Sequence, residues 1–209
     1  MSLILKQYGI TLKRIAKDDI ELVRTWRNHP SIRKTMAYQK KISAKEQVEW
    51  FERVNNSLNY YFLIIVKGSP IGVINCKEVN LKEQYGEGGI FIWEAEYINS
   101  PIPGIASIIL INYIFNVIHI GNKSYIRILR NNEQAKKYNR SLGYSLIPGQ
   151  NRNKNQWYIL TREDFNSKKE KLMRGAKSYM QSTGELVVEG SVSVLNIPEV
   201  NDSIGKTFT

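Results

Sequence analysis

Apolar and polar residues along this chain repeat with the period of a strand in some segments and of a helix in others. Alternation at residues 10–15 predicts a first strand. Two runs of β-forming residues, 60–66 and 71–79, flank a turn at 67–70 and predict a hairpin. Further strands are expected at residues 87–93, 124–129, 144–147 and 156–160.

Helices are predicted where helical periodicity coincides with signals for a helix end. Residues 18–27 place acids before bases, as a helix dipole favours, and Pro30 suits the start of a short helix at 31–36. Ser43 and Glu46 form a capping-box pattern that predicts a helix behind them. A long apolar helix is expected at 105–120, and a polar amphipathic helix at 131–142 ends at Gly143.

The order of these elements predicts the architecture. Hairpin-joined strands followed by a strand–helix–strand crossover imply an α/β fold, with a mixed sheet and helices on both faces. The pattern changes after residue 161, so we expect a main domain at 1–161 and a C-terminal extension at 162–209. The extension is predicted to hold a basic helix, an alternating segment at 184–195 and a loose end. The alternating segment is a candidate for pairing with a partner's sheet edge in a homodimer.

Composition narrows the classes of partner. The 209 residues carry a formal net charge of +11, which favours anionic partners such as phosphorylated small molecules or nucleic acid. The basic residues between 168 and 177 have no aromatic residues among them, which disfavours nucleic acid. The most apolar window, 105–120, is shorter than the roughly 20 residues of a membrane span, and the first residues do not resemble a signal peptide.

The sulfur and imidazole content predicts neither a disulfide framework nor a metal site. The single cysteine, Cys76, lies in an apolar segment, which predicts a small buried thiol and fits a reducing, cytoplasmic setting. One cysteine and two histidines show no zinc spacing.

The segment with the clearest chemical content joins a strand to the long apolar helix. A turn containing Gly104 and Ala106 is predicted to open directly into this helix. Helix starts carry unpaired N–H groups and partial positive charge, so small residues there suit a phosphate group. The same pattern also begins many ordinary core helices.

These motifs, taken with the element order, resemble the GNAT superfamily of acetyl-CoA-dependent N-acetyltransferases over residues 8–161. Gly104 and Ala106 match the family's pyrophosphate loop, although Pro101 replaces its usual glutamine or arginine. Asn132 and Ala135, followed by Leu-Gly-Tyr at 142–144, match a second signature. The resemblance implies a mostly antiparallel sheet and an acetyl-CoA site formed by Ile92, Trp93, Ile102, Pro103, Gly104, Ile105, Ala106, Ser107, Asn132, Ala135, Tyr138 and Asn139.

The resemblance also implies catalytic roles. Many members place a general-acid tyrosine at the position that Asn139 occupies here, so the neighbouring Tyr138 is the candidate acid, with helix packing as its alternative role. Glu87, near the start of a strand, is the candidate base that removes a proton from the amine. Its alternative role is a solvated carboxylate. Backbone N–H groups of Ile92 and Trp93 are expected to polarise the thioester carbonyl.

A third match points to the acceptor. Residues 26–33, together with 46–51, resemble ribosomal-protein N-terminal acetyltransferases and, more closely, acetyltransferases of nucleotide-linked amino sugars. The resemblance implies a small-molecule amine acceptor. Protein N-terminal acetylation and a non-catalytic acyl-CoA-binding module are the alternatives. The implied substrate-binding residues are Trp26, Arg27, Asn28, His29 and Arg33.

Overall fold

The computed structural model describes residues 2–36, 38–182 and 184–190. Within them, one nine-stranded sheet has the order β7-β8-β6-β5-β4-β3-β2-β1-β9. Every neighbouring pair is antiparallel except β5 and β6. The strands are β1 (Ile4–Gln7), β2 (Ile10–Arg14), β3 (Tyr60–Val66), β4 (Ser69–Asn80), β5 (Tyr85–Ile92), β6 (Lys123–Leu129), β7 (Ser145–Leu146), β8 (Asn155–Thr161) and β9 (Val187–Glu189).

Helices cover both faces of this sheet. The helices are α1 (Ile20–Asn28), α2 (Pro30–Arg33), α3 (Ala44–Val54), α4 (Ala95–Ile98), α5 (Ile102–Asn112), α6 (Glu133–Leu142) and α7 (Arg162–Met180). Side chains of α1, α2 and α3 pack in a smaller apolar cluster with Val73 and Trp93. Those of α5, α6 and α7 join the main core on the opposite face. The α/β architecture expected from the sequence is therefore confirmed.

Helix α5 lies deepest in the molecule. Apolar residues surround it, and nine of its eleven residues are buried. A helix that is apolar all round can only be stable inside a core. It continues into a π-helical turn, Tyr113–Val117, whose Phe115 packs edge-on against Phe165 of α7 at a centroid distance of 6.2 Å. In the part of the chain that the structure describes, no helix combines the length and apolar character of a membrane span.

Two elements differ from the sequence expectations. Strand β1 precedes the strand that the sequence predicts first, because four residues are too few to show a clear alternation. Strand β9 pairs with β1 of the same chain, and Lys6 and Glu189 form a salt bridge across this pair at 2.7 Å. This segment therefore completes the chain's own sheet rather than pairing as expected with a partner. Residues 191–195 of the predicted strand lie outside the described residues.

The sheet opens between β5 and β6. Their parallel pairing runs only from Tyr85–Lys123 to Gly88–Ile126, whereas both strands continue past it. Parallel strands need a crossover between them, and here α5 provides it. The two strands therefore diverge next to the start of α5, and we call this opening the fork.

Candidate functional site

A cleft of about 1470 Å³ extends through the fork. On one side it is lined by the start of α5 and by α6, which we call the donor side. On the other side it is lined by α1, α2, α3 and β4, which we call the acceptor side. A cleft of this size holds a large ligand together with a second, smaller one.

The fork leaves backbone donors of β5 free of a β6 partner. The Trp93 N–H donates to Ile71 O at 2.9 Å, so the expected role of Trp93 as a carbonyl-polarising donor is wrong. Successive N–H groups of a strand point to opposite edges, so those of Ile90 and Ile92 point towards β6. Both lie past Gly88, the last residue paired with β6. These two N–H groups can therefore polarise a carbonyl placed in the fork.

Helix α5 begins earlier than the sequence pattern suggested. Pro101 is its N-cap and Ile102 its first residue, so Gly104 and Ala106 lie within the helix rather than in a preceding turn. Proline favours the first helical positions because its φ is already helical and its missing N–H would have no partner there. Pro101 and Pro103 therefore set the helix start.

This start offers fewer donors to a phosphate than expected. Pro103 has no N–H, the Ile102 N–H donates to Ser100 Oγ at 3.2 Å, and the Ile105 N–H donates to Pro101 O at 3.0 Å. The N–H groups of Ala106 and Ser107 belong to the helical ladder. Of the predicted series 102–107, Gly104 therefore carries the one N–H without a partner at this helix start.

Tyr138 of α6 covers this glycine. A Cβ on Gly104 would lie 3.3 Å from Tyr138 Cε2, so a side chain here would crowd the ring. The Tyr138 hydroxyl lies 3.0 Å from Pro103 O and forms a hydrogen bond with Ser107 Oγ. Burial raises the pKa of Tyr138. Tyr138 thus joins α6 to the first turn of α5.

Three further polar residues of the donor side, Asn132, Gln134 and Asn139, bond within the protein. Asn132 caps α6, because its Oδ1 accepts from the Ala135 N–H at 3.0 Å. Asn139 donates to Ala135 O at 2.8 Å. Gln134 donates to Ile98 O at 3.1 Å and to Asn99 Oδ1 at 2.5 Å, which fixes α6 to the turn before α5. Asn132, Ala135 and Asn139 all line the cleft.

Glu87 lies at the base of the fork between two cations. Its Oε1 accepts from Arg127 Nε at 2.9 Å and from Nη2 at 2.7 Å, and its Oε2 lies 3.3 Å from Lys77 Nζ. The Arg127 guanidinium also stacks over Trp157, 5.0 Å from the ring centroid. As a proton acceptor, Glu87 would have to release one of these contacts or act through water.

The acceptor side has buried polar atoms without a hydrogen-bond partner among the described residues. They are Arg27 Nη1, Gln47 Nε2 and Asn75 Oδ1. All three residues line the cleft, and Gln47 is only 3% exposed. Burial lowers the pKa of Arg27, whose Nη2 reaches Tyr38 O at 3.4 Å. Buried polar atoms are normally satisfied, so these two donors and one acceptor are candidates for bonding a ligand.

Of the five substrate residues implied by the sequence, Arg27 alone lines the cleft in the described part of the chain. Trp26 stacks on Trp93 with the rings 4° from parallel. Asn28 exchanges two 2.7 Å hydrogen bonds with the backbone of Ile42. His29 caps α2 and bonds Ser31, and Arg33 also lies outside the cleft lining. These four residues lie outside the cleft lining, so their expected role in substrate binding stays a prediction.

Four of the cleft residues were not among the candidate site residues, although three of them lie in the motifs quoted above. Gln47 lies on the buried face of α3 and Asn75 interrupts an apolar strand, and both are patterns that could have identified them. Trp50 lines the cleft and contacts Tyr61 edge-on at 5.1 Å. Tyr144 reaches the fork with a 2.7 Å hydrogen bond to Ser124, and the signature that contains Tyr144 does not indicate this contact.

Comparison with known proteins identifies the family. The family model described as acetyltransferase (GNAT) domain matches residues 10–145. The chain belongs to the GNAT acetyltransferase family. Membership in this family makes acetyl-CoA the expected acyl donor and an amine the expected acceptor of the matched domain. It also accounts for a fork beside a helix start, since both features suit a long thioester with a phosphate-bearing tail.

Individual relatives are more distant. An uncharacterised protein of Methanocaldococcus jannaschii is 26% identical over 138 residues, which is 65% of this chain and 28% of that protein. The chain therefore matches little more than a quarter of that relative. An apo structure described as FdhC, a nucleotide-linked sugar GNAT, superposes with a TM-score of 0.69 at 20% identity, covering 83% of this chain and 98% of that one.

A second solved structure shares the fold but has a different acceptor. The spermidine N-acetyltransferase of Vibrio cholerae, in complex with CoA and spermine, superposes with a TM-score of 0.67 at 15% identity. The match covers 77% of this chain and 99% of that one. At these identities the structural matches establish the shared fold.

The residues present fit acetyl-CoA. The fork exposes two N–H donors for its carbonyl, Ala135 leaves room beside Asn132, and the Gly104 N–H lies at a positive helix end. When bound, acetyl-CoA supplies an activated acyl group on a thiol leaving group. The N–H groups of Ile90, Ile92 and Gly104 are the protein groups that would polarise its carbonyl and meet its phosphates.

Proposed function

We propose that this protein transfers an acetyl group from acetyl-CoA to a primary amine of a nucleotide-linked amino sugar, in a ternary complex. The observation that carries the proposal is the unpartnered Arg27 Nη1 in the wall of the acceptor side. A guanidinium binds phosphate oxygens with a well-matched geometry, and a nucleotide diphosphate provides them.

The charge of the cleft supports an anionic acceptor. Among the described residues its lining includes three carboxylates, those of Glu46, Glu49 and Glu87. The same lining includes seven cationic side chains: Arg27, Lys34, Arg53, Lys77, Lys123, Arg127 and Lys137. A polyamine would enter this field at an electrostatic cost, whereas a nucleotide sugar would be attracted.

The neutral groups of the acceptor side suit a sugar. Gln47 Nε2 can donate to a hydroxyl, and Asn75 Oδ1 can accept from a hydroxyl or an ammonium group. Trp50 offers an aromatic surface beside them. The structural match to a nucleotide-linked sugar acetyltransferase points in the same direction.

An acceptor panel tests this proposal. CoA thiol release is followed with a UDP-linked amino sugar, the same amino sugar without the nucleotide, spermidine and a short peptide with a free N-terminus. We expect the highest kcat/KM for the nucleotide-linked amine. A higher value for spermidine or for the peptide would refute the acceptor. Binding of acetyl-CoA without turnover of any amine would instead indicate a non-catalytic module.

A further inference from the structure

At the position where many family members have a general-acid tyrosine, this chain has Asn139. Asn139 has no acidic proton, and its amide bonds to Ala135 O inside α6. Its neighbour Tyr138 points to α5, where Pro103 O and Ser107 Oγ engage its hydroxyl. Neither side chain is therefore placed to protonate a sulfur in the fork.

We propose that the hydroxyl of Tyr144, held by Ser124, is the proton donor to the departing CoA thiolate. The Tyr144 hydroxyl lies 2.7 Å from Ser124 Oγ, and both residues line the cleft. A Cβ on Gly88 would lie 3.6 Å from this hydroxyl and 3.5 Å from Ser124 Oγ. The pair thus lies directly over the last residue at which β5 pairs with β6.

The position fits the reaction geometry. Gly88 precedes Ile90 by two strand residues, a spacing of about 6.6 Å on the same edge and face of β5. A thioester whose carbonyl bonded to the N–H groups past the fork would therefore lie within about two strand residues of the Tyr144 hydroxyl. Gly88 has no side chain, so the space between the hydroxyl and the fork stays open.

The surroundings keep this hydroxyl protonated. Burial raises the pKa of Tyr144, and the other titratable groups that face it are Tyr138 and Cys76. Burial likewise raises the pKa of Cys76 to about 12. All three groups are neutral at physiological pH, so the phenol is a hydrogen donor throughout the working range.

In the proposed step the amine nitrogen bonds to the acyl carbon while the carbon–sulfur bond breaks. The sulfur takes the proton of Tyr144 Oη, and the phenolate regains a proton from water through the Ser124 hydroxyl. The proton lost by the nitrogen goes to water. A neutral amine and a thioester thus become an amide and a thiol, with no other reactant.

The first test needs no acceptor, so its result is independent of the proposed nucleotide-sugar substrate. Reduced CoA is bound to the protein, and the CoA-dependent part of the thiolate ultraviolet absorbance is titrated with pH. Loss of a hydrogen bond to the thiolate in Tyr144→Phe should raise the pKa of the bound thiol by about one unit. Cys76, the single cysteine, stays protonated over this range.

Two further tyrosine variants calibrate the titration. Tyr158→Phe removes an equally buried hydroxyl outside the cleft lining and should leave the bound thiol's pKa unchanged. Tyr138→Phe tests the rival acid. An unshifted pKa in Tyr144→Phe, or a larger shift in Tyr138→Phe, would overturn the proposal.

Turnover and a second variant complete the experiment. In Tyr144→Phe, kcat with the fastest amine of the panel should fall about 100-fold, while the Kd for acetyl-CoA changes less than about threefold. If this variant does not fold, Gly88→Ala places a methyl group between the hydroxyl and the fork and should shift the thiol's pKa in the same direction. An unchanged kcat or thiol pKa in the folded variant refutes the assignment.

Discussion

The donor and acceptor sides of the cleft use their polar atoms differently. On the donor side, Gln134, Asn132 and Asn139 make hydrogen bonds to neighbouring protein groups. On the acceptor side, Gln47 and Asn75 keep buried polar atoms without such partners. Burying an unpaired polar atom lowers the free energy of unfolding, so these atoms of the acceptor side destabilise the folded protein. The donor side is preorganised by its own hydrogen bonds, whereas the acceptor side keeps polar atoms that the proposed substrate would bond.

Among the acceptor-side residues, substitution of Arg27 should give the largest loss of activity with the proposed substrate. Arg27→Met keeps most of the side-chain volume but removes the charged donor from the acceptor side. Because a hydrogen bond to a charged group contributes about 1.5–3 kcal/mol, we expect kcat/KM for the nucleotide-linked amine to fall about 30-fold. The Kd for acetyl-CoA, measured by calorimetry, should stay within about twofold of wild type.

Arg33→Met provides the matched control for Arg27→Met. It removes the same charge from the neighbouring helix α2, outside the cleft lining. We expect wild-type kinetics in this variant. Equal losses in both variants would mean that net charge, rather than the position of the Arg27 guanidinium, controls acceptor binding.

Substitutions of Gln47 and Gln134 should change the free energy of unfolding in opposite directions. Gln47→Met removes an unpaired buried amide, so the free energy of unfolding should rise by about 1 kcal/mol while acceptor KM increases severalfold. Gln134→Met breaks two hydrogen bonds and should lower the free energy of unfolding by about 1 kcal/mol. Urea denaturation measures both. A destabilised Gln47→Met protein would show that its amide already has a partner.

The order and the ends of the helices could be predicted from the sequence more reliably than the directions of their side chains. Element order follows from local periodicity and caps: Ser43 and Glu46 form the predicted capping box, and Gly143 ends α6 in a left-handed conformation. The sequence pattern placed the start of α5 too late in the chain, because Pro101 and Pro103 allow the helix to begin at Ile102. The direction of a side chain on a short helix was harder still, since one residue turns it by about 100°. Arg27 faces the cleft while its neighbour Asn28 binds the loop at Ile42.

Side-chain contacts between residues far apart in the chain could not be predicted from local sequence patterns. Tyr144 and Ser124 are twenty residues apart and meet through the β6–β8–β7 arrangement, a contact that the Leu-Gly-Tyr signature at 142–144 does not reveal. Glu87 and Arg127, forty residues apart, likewise meet across the fork. Such contacts depend on strand register, which sequence periodicity alone does not give.

A separate effect, seen only at alkaline pH, concerns Cys76, which also lines the cleft. Its pKa is raised from 9.0 to about 12 by burial, so the thiol ionises in the unfolded chain before it ionises in the folded protein. Above pH 9 this difference favours unfolding, by up to about 1.4 kcal/mol per pH unit. The free energy of unfolding should therefore fall less steeply with rising pH in Cys76→Ala than in wild type. Equal slopes in urea titrations from pH 9 upwards would show that this thiol is not linked to stability.

The most direct test of the account is a calorimetric titration of UDP into protein saturated with CoA. UDP carries the diphosphate that Arg27 is proposed to bind, without the amine, so binding is measured apart from turnover. We expect saturable binding by the wild type, at least tenfold weaker binding by Arg27→Met, and no competition from spermidine. Equal UDP affinity in both proteins, or displacement of UDP by spermidine at lower concentration, would contradict an acceptor side built for an anionic substrate.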